Sequence, residues 1–195
     1  FAAALADFQA AKTIPDNLPS DRGVSGREAE FGYYIGLAYE GMGDRGNARQ
    51  SWLEATSAPA DAGRAGGRGR GGAGGGGRGG RGGGGGAGAL SDREVQSYYQ
   101  ALALRKLNQN ERVEPMLFEL IASGTATLAQ TADSADAATP AFARLASRSR
   151  IATAHFLIGL GNAGLGDTVK AREEFALALQ SSPDHLGAKT ALELK

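Results

Sequence analysis

The sequence contains no cysteine, which excludes disulfide scaffolds, thiol nucleophiles and cysteine-ligated metal sites. It also lacks an excess of either charge, because 21 basic residues balance 21 acidic ones. The chain as a whole therefore has no electrostatic preference for nucleic acid or for a membrane surface. No apolar run approaches the roughly 20 residues that a membrane-spanning helix needs. We expect no membrane partner.

Histidine is nearly absent, and the two that occur do not predict a catalytic site. Neither His155 nor His185 has a serine, a carboxylate or a second histidine at catalytic or metal-binding spacing. The adjacent Glu173 and Glu174 are expected on a helix surface rather than facing one cleft. The glycine-rich middle lacks the Gly-Lys-Ser/Thr of a phosphate-binding loop. We therefore predict that this chain is not itself an enzyme and that it holds no metal or cofactor.

The chain begins with "FAAALADFQAAKTIP", which reads as the middle of a helix and carries no leader or cleavage signature. Ala4, Phe8, Ala11 and Pro15 reproduce only the second half of the repeat described next. We therefore expect that the true N-terminal part of the protein is missing. The sequence leaves the compartment open and slightly favours the cytoplasm.

Two stretches of the chain are near-copies: "YYIGLAYEGMGD" begins at Tyr33 and "HFLIGLGNAGLGD" begins at His155. The match continues beyond the Gly-Asp pair, and a proline follows each copy. The matched pairs are Gly36 with Gly159, Ala48 with Ala171, Trp52 with Phe175 and Ala55 with Ala178. A third, looser copy, "SYYQALALRKLNQNERVEPMLFELIASG", has Ala101 at the small position and Leu117 on its second helix.

Each copy predicts two antiparallel helices joined by the Gly-Asp turn, because apolar residues recur at helical spacing on both sides of it. A glycine inside a helix costs about 1 kcal/mol relative to alanine, so Gly36 and Gly159 indicate close approach of the second helix. Gly43 and Gly166 are expected to end the first helix in the left-handed conformation. The aspartate that follows is expected to cap the second helix. On that second helix, alanines alternate with a large aromatic ring. This alternation predicts that the ring packs into the space left by a small residue on the first helix.

This frame of glycine, alanine, aromatic, alanine and proline resembles the tetratricopeptide repeat. The resemblance implies an all-α fold, an α-solenoid of antiparallel helix pairs, and it is specific for fold rather than for ligand. The third copy departs from the family pattern. Asn108 and Gln109 replace its Gly-Asp turn, and Pro115 stands inside its second helix, where a kink is expected.

The copies are too far apart for a simple array, which repeats at about 34 residues, so two segments must be inserted. The unbroken helical pattern that begins after Pro140 indicates that part of the second insertion lengthens the following helix. The predicted organisation is a half repeat plus a full repeat over 1–59, a disordered Gly/Arg-rich insertion over 60–90, a degenerate repeat over 91–123, an irregular connector over 124–140, and a final repeat over 141–195 with a capping helix from about Leu186.

The order of the copies, closed by "SPDHLGAKTAL", also resembles a narrower group of bacterial proteins. In these proteins, tetratricopeptide repeats follow a large β-rich, carbohydrate-enzyme-like domain of poorly defined function. The resemblance implies that this chain is the C-terminal helical part of such a protein and that any reacting site lies on the missing portion. A helical accessory region of a carbohydrate-active enzyme is therefore one alternative function.

Pairs of adjacent tyrosines open the first helix of two copies. Neighbours on a helix point about 100° apart, so one ring of each pair is expected to pack inward and the other to face the concave side. The aligned positions predict an apolar concave surface, which comprises Tyr33, Leu37, Tyr98, Leu102, Phe156 and Leu160. Such a patch usually meets a partner, and its coverage by adjacent helices is an equally weighted alternative. Related domains that clamp a carboxylate tail have lysine and asparagine there, so that activity is disfavoured.

The Gly/Arg-rich insertion could contact RNA, because arginines spread among glycines bind nucleic acid through charge and stacking. The arginines concerned are Arg64, Arg68, Arg70, Arg78 and Arg81. However, no aromatic residue accompanies them, and the segment lies inside the repeats rather than at a tail. An inert insertion is favoured over weak, salt-sensitive RNA binding. The leading hypothesis is a non-catalytic scaffold that docks a protein segment, or a neighbouring domain of the same chain, through the concave surface.

Overall fold

The structure is a computed structural model of the chain, and it describes residues 1–12, 27–58, 86–132 and 141–193. Within these ranges the protein is all-α, with eight α-helices, antiparallel packing of neighbouring helices and no sheet. The chain divides into two compact units, Phe1–Gln96 and Ser97–Lys195. None of the described helices combines the length and the apolar character that crossing a bilayer requires.

The first unit contains three complete helices and the beginning of a fourth. These are α1 (Ala2–Ala11), α2 (Glu28–Gly41), α3 (Arg45–Ser57) and the first part of α4 (Gly86–Lys106). The second unit holds the rest of α4, a short 3-10 turn (Asn110–Arg112), α5 (Val113–Ala132), α6 (Ala141–Leu165), α7 (Thr168–Ser181) and α8 (Leu186–Glu193).

The turns between paired helices have the same geometry in all three copies. Gly43 and Gly166 have φ angles of 81° and 89°, and Asn108 takes the same position with φ 60°. Each turn is closed by a 2.9 Å hydrogen bond from the next backbone N–H to a carbonyl five residues earlier: Asp44 to Tyr39, Gln109 to Leu104 and Asp167 to Asn162. This is a Schellman helix end. The predicted left-handed glycines are confirmed, and the third copy keeps the turn because asparagine tolerates this conformation better than other side chains do.

The aspartate after each glycine caps the second helix, as predicted. A carboxylate oxygen of Asp44 accepts the backbone N–H of Asn47 at 3.0 Å, and Asp167 accepts that of Lys170 at 3.1 Å. Each bond satisfies one of the N–H groups that a helix start leaves unpaired. The backbone hydrogen bond from Asn47 holds the pKa of Asp44 below its usual value. The side-chain contact with Lys170 lowers the pKa of Asp167 in the same direction.

Helices α2 and α3 interlock where Trp52 fills the space that Gly36 leaves open. The indole is 6% exposed, and a Cβ atom added to Gly36 would collide with it. The indole N–H also donates to the carbonyl of Tyr33 at 3.3 Å, which satisfies the polar end of the buried ring. Ala48 and Ala55, one turn to either side of Trp52, are both buried. Their small side chains let the two helix backbones approach.

The same arrangement recurs in α6 and α7. Phe175 is 4% exposed, and a Cβ atom on Gly159 would collide with its ring. Ala171 and Ala178 are buried on either side of it. In the third copy the core cluster is aliphatic and joins α4 to α5; it comprises Ala101, Leu104, Val113, Leu117 and Leu120. All ten residues predicted to pack the repeats are therefore in the interior.

The structure corrects two of the predicted boundaries. Helix α5 continues to Ala132, so residues 124–132 are helical rather than part of an irregular connector. Gly124, the first residue of the predicted connector, is instead a crossing point: an added Cβ would lie 2.7 Å from the carbonyl oxygen of Ala154 in α6. Helix α4 begins at Gly86, so the end of the predicted insertion is also helical. Residues 60–85 and 133–140 lie outside the described ranges.

Pro115 does not occupy a helix interior. It is the third residue of α5, and the N–H groups of the first turn have no partner within the helix, so the missing proline N–H breaks no hydrogen bond there. The kink predicted from the sequence therefore has no cause at this position. Helix α6, in contrast, runs unbroken for 25 residues from Ala141, as the sequence predicts.

Replacing Gly36 with alanine should destabilise the protein by about 1–3 kcal/mol, because the added methyl group overpacks the indole contact. Chemical denaturation followed by the fluorescence of Trp52, the single tryptophan, measures the change. The matched control is Gly46→Ala in α3, where the nearest atom to an added Cβ is 3.6 Å away. The control should be neutral or stabilising by about 0.5–1 kcal/mol. Equal stability of Gly36→Ala and the wild type would contradict the interlock.

Candidate interaction surface

The residues of the predicted concave surface lie on the first helices of the pairs. Tyr33 and Leu37 are on α2 in the first unit, whereas the other four are on α4 and α6 in the second unit. Five of the six are partly buried, and Leu160 is buried with 7% exposure. Leu160 is therefore an interior residue in this structure.

The tyrosine side chains are held in place by ring contacts. Tyr34 stacks on Phe8 of α1 with ring centroids 5.3 Å apart and ring planes within 5°. Tyr33 meets Tyr34 edge-on at 5.5 Å, and Tyr98 and Tyr99 form the same kind of pair at 5.3 Å. Each tyrosine of a pair thus limits the orientation of its neighbour, and Tyr98 also packs against the core cluster of α4 and α5.

Phe156 differs from the other predicted surface residues because three helices meet around it. Its ring lies 5.9 Å from that of Phe175 in α7 and 4.8 Å from the imidazole of His185. A Cβ atom on Gly187, in the first turn of α8, would come within 2.7 Å of the Phe156 ring. Phe156 therefore packs the junction of α6, α7 and α8. The part-exposed surface is carried by the tyrosine and leucine of α2 and of α4.

The structure pairs His155 with Glu174, which the sequence analysis missed. Nδ1 of His155 lies 2.7 Å from a carboxylate oxygen of Glu174 across the α6–α7 pair, and both side chains are partly buried. The expectation that His155 has no carboxylate partner is therefore corrected. The two residues are far apart in sequence, and the available signal was the alignment of two antiparallel helices about the turn at Gly166. The pair fixes the orientation of the imidazole.

His185 caps the last helix. Its Nδ1 accepts the backbone N–H of Ala188 at 3.1 Å, which requires that nitrogen to be unprotonated. Burial, partly against the Phe156 ring, holds the pKa of His185 below its usual value of 6.5. The capping bond and the lowered pKa both favour neutral imidazole in the folded protein.

Side chains from another helix also complete the start of α2. The side-chain oxygen of Gln96 in α4 accepts the backbone N–H of Ala29 at 2.7 Å, and its amide donates to Glu28 at 2.9 Å. Gln96 is buried, so these bonds satisfy a polar group that would otherwise be costly to bury. This contact fixes how α2 begins, and therefore where Tyr33 and Leu37 lie.

The described residues give little support for a ligand pocket or a metal site. A cleft of about 240 Å³ lies between α1, α2 and α3, with Gln9, Lys12, Asn47, Gln50 and Glu54 in its lining. Ligand pockets are typically about 300–1,000 Å³ and mostly apolar, so the cleft is small and polar for such a role. In the described ranges there is no cluster of three or more metal-ligating side chains. The arginines of the Gly/Arg-rich segment lie outside those ranges, and RNA binding stays a prediction.

Lowering the pH should destabilise the start of α8, because protonation of His185 removes its capping hydrogen bond. Because the pKa is lower in the folded protein than in the unfolded chain, the stability due to neutral His185 is complete above about pH 6.5 and is lost as the pH falls below that value. The variant His185→Asn keeps a capping side chain that does not titrate. The unfolding free energy of the wild type should therefore fall, relative to this variant, as the pH drops below about 6.5. Parallel pH profiles of the two proteins would show that His185 plays no such part.

Comparison of the chain with known protein families, with curated proteins and with solved structures finds no match. The resemblance to tetratricopeptide repeats therefore rests on the repeated residues themselves.

Proposed function

We propose that the protein is a tetratricopeptide-like helical scaffold that binds a protein segment, or a neighbouring domain of its own chain, without catalysing a reaction. Each unit contributes its own binding surface, a part-exposed tyrosine and leucine on α2 in the first unit and on α4 in the second. The repeated turns, caps and interlocks support the solenoid part of this proposal, because repeat proteins stack such helix pairs and bind partners along one surface of the stack.

The observation that carries the proposal is the pairing of an aromatic ring with a leucine one helical turn further along. Tyr33 and Leu37 form such a pair on α2, and Tyr98 and Leu102 form the other on α4. Residues at this spacing are neighbours on a helix surface. All four are partly buried rather than fully covered, so each pair presents apolar area to a partner.

The tyrosines are suited to binding because their positions are fixed before a partner arrives. Ordering a mobile side chain at an interface costs about 0.5–1.5 kcal/mol. The edge-on contacts of Tyr33 with Tyr34 and of Tyr98 with Tyr99 reduce that cost. Tyrosine also combines a large apolar ring with a polar hydroxyl, which is why it is enriched where proteins meet. Rigid aromatic anchors beside leucines are typical of protein-binding surfaces.

A peptide library displayed on phage and selected against the wild-type chain tests the proposal. Peptides that bind should lose affinity by about tenfold or more for Leu37→Glu and for Leu102→Glu, because a carboxylate would then be desolvated in the interface. Titration calorimetry with the selected peptides measures the affinities. Far-UV circular dichroism verifies that the helices persist in each variant.

The matched control is Leu53→Glu on the exposed side of α3, which introduces the same charge on the second helix of a pair. Its affinities should equal those of the wild type. Unchanged binding by both Leu37→Glu and Leu102→Glu would refute the assignment of the surface to α2 and α4. A selection that yields no binding peptide would refute the scaffold proposal itself.

A further inference from the structure

No residue at the beginning of α6 is fully buried. Helix α6 has 25 residues, whereas α7 has 14, and the first buried residue of α6 is Ala152. All residues from 141 to 151 are described by the structure, and none of them is buried. We call this stretch, residues 141–151, the α6 arm.

Two large apolar side chains of the α6 arm are exposed to solvent. Phe142 is 75% exposed and Leu145 is 66% exposed. Their three-residue separation places them side by side on one face of the helix. The same face of α6 continues at helical spacing through Ser149 and Ala152 to Phe156. The arm therefore prolongs the apolar face of α6 beyond the point where α7 and α8 cover it.

The charge of the α6 arm has one sign. Arg144, Arg148 and Arg150 are exposed, and the arm contains no acidic residue. Within the described part of the chain, none of the three pairs with a carboxylate. Arg144 and Arg148 are four residues apart and so repel each other across one turn. An acidic partner would relieve this repulsion.

We propose that the α6 arm docks an acidic segment of a partner protein. Apolar side chains of that segment cover Phe142 and Leu145, and its carboxylates meet the arginines, whose planar guanidinium groups bind carboxylates through paired hydrogen bonds. The inference deepens the proposed scaffold function, on which it rests, by assigning a charge and a second contact point to the partner.

The arrangement of the arginines favours a narrow segment over a membrane surface. At 100° per residue, Arg148 lies about 60° to one side of Leu145, and Arg150 lies about 80° to the other side of Phe142. The charges thus flank the apolar strip on both sides. A helix that lies in a membrane interface instead separates a broad apolar face from a polar face. An acidic segment with a central apolar ridge matches the flanked strip.

A pair of synthetic peptides tests the docking with the whole chain. One is a short helical peptide with two leucines at three-residue spacing among glutamates, and the other has lysine at every glutamate position. Fluorescence anisotropy should show binding of the acidic peptide alone. Raising the ionic strength from about 0.1 M to about 1 M should weaken it, because the screening length falls from about 10 Å to about 3 Å.

Substitutions in the α6 arm define where the peptide binds. Phe142→Ser with Leu145→Ser should raise the Kd of the acidic peptide by about tenfold or more, and Arg144→Gln with Arg148→Gln should flatten the salt dependence. These changes are at exposed positions, so the fold should persist. The matched control is Val169→Ser on α7, where the valine is 67% exposed, close to the value for Leu145. It should leave the Kd unchanged.

Three results would overturn the docking proposal. The acidic peptide could fail to bind, or bind no better than its lysine counterpart. Vesicles rich in phosphatidylserine could bind through Phe142 and Leu145 where the peptide does not, which would identify a membrane surface. Concentration-dependent sedimentation that Phe142→Ser abolishes would identify a second copy of the chain. Library peptides that still depend on Leu37 and Leu102 in any of these cases would leave the scaffold function intact while the α6 arm loses its role.

Discussion

The fold depends on one contact made twice: a glycine on the first helix of a pair leaves the space that an aromatic ring on the second helix fills. Gly36 receives Trp52, and Gly159 receives Phe175. Each glycine costs its helix about 1 kcal/mol relative to alanine. Burying a large ring contributes about 1.5–3 kcal/mol, so the exchange favours the packed pair. The alanines on either side of each ring extend the close approach along the helices.

This contact also decides which side chains stay partly exposed. Because the small residues of α2 face α3, its tyrosine and leucine at positions 33 and 37 are left only partly buried. In the second unit, the ring of Phe175 packs against α6 at Gly159, whereas Phe142 and Leu145 of the α6 arm are exposed. The first surface is made of pre-oriented aromatic rings, and the second combines apolar and basic groups.

Much of the local structure could be predicted from the sequence because its causes are local. Three such signals can each be read within a few positions. They are a glycine that must take the left-handed conformation, an aspartate beside it, and an alternation of small and large residues. The contacts that were missed depend on helices far apart in sequence. The close approach of α6 at Gly124 and the contact of His155 with Glu174 both join helices that local spacing does not bring together. The exposure of Phe142 depends on which helices pack along α6, which residue spacing does not reveal.

The central claim is that a ring occupies the space at each glycine, and nuclear magnetic resonance tests it most directly. An ¹⁵N/¹³C-labelled sample should show a strong nuclear Overhauser effect between the Hα protons of Gly36 and the indole protons of Trp52. The same Hα signals should be displaced by the ring current of the indole. A corresponding effect should join Gly159 to the ring of Phe175. If the indole of Trp52 instead shows contacts to water and none to Gly36, the helices do not interlock as described and the account is contradicted.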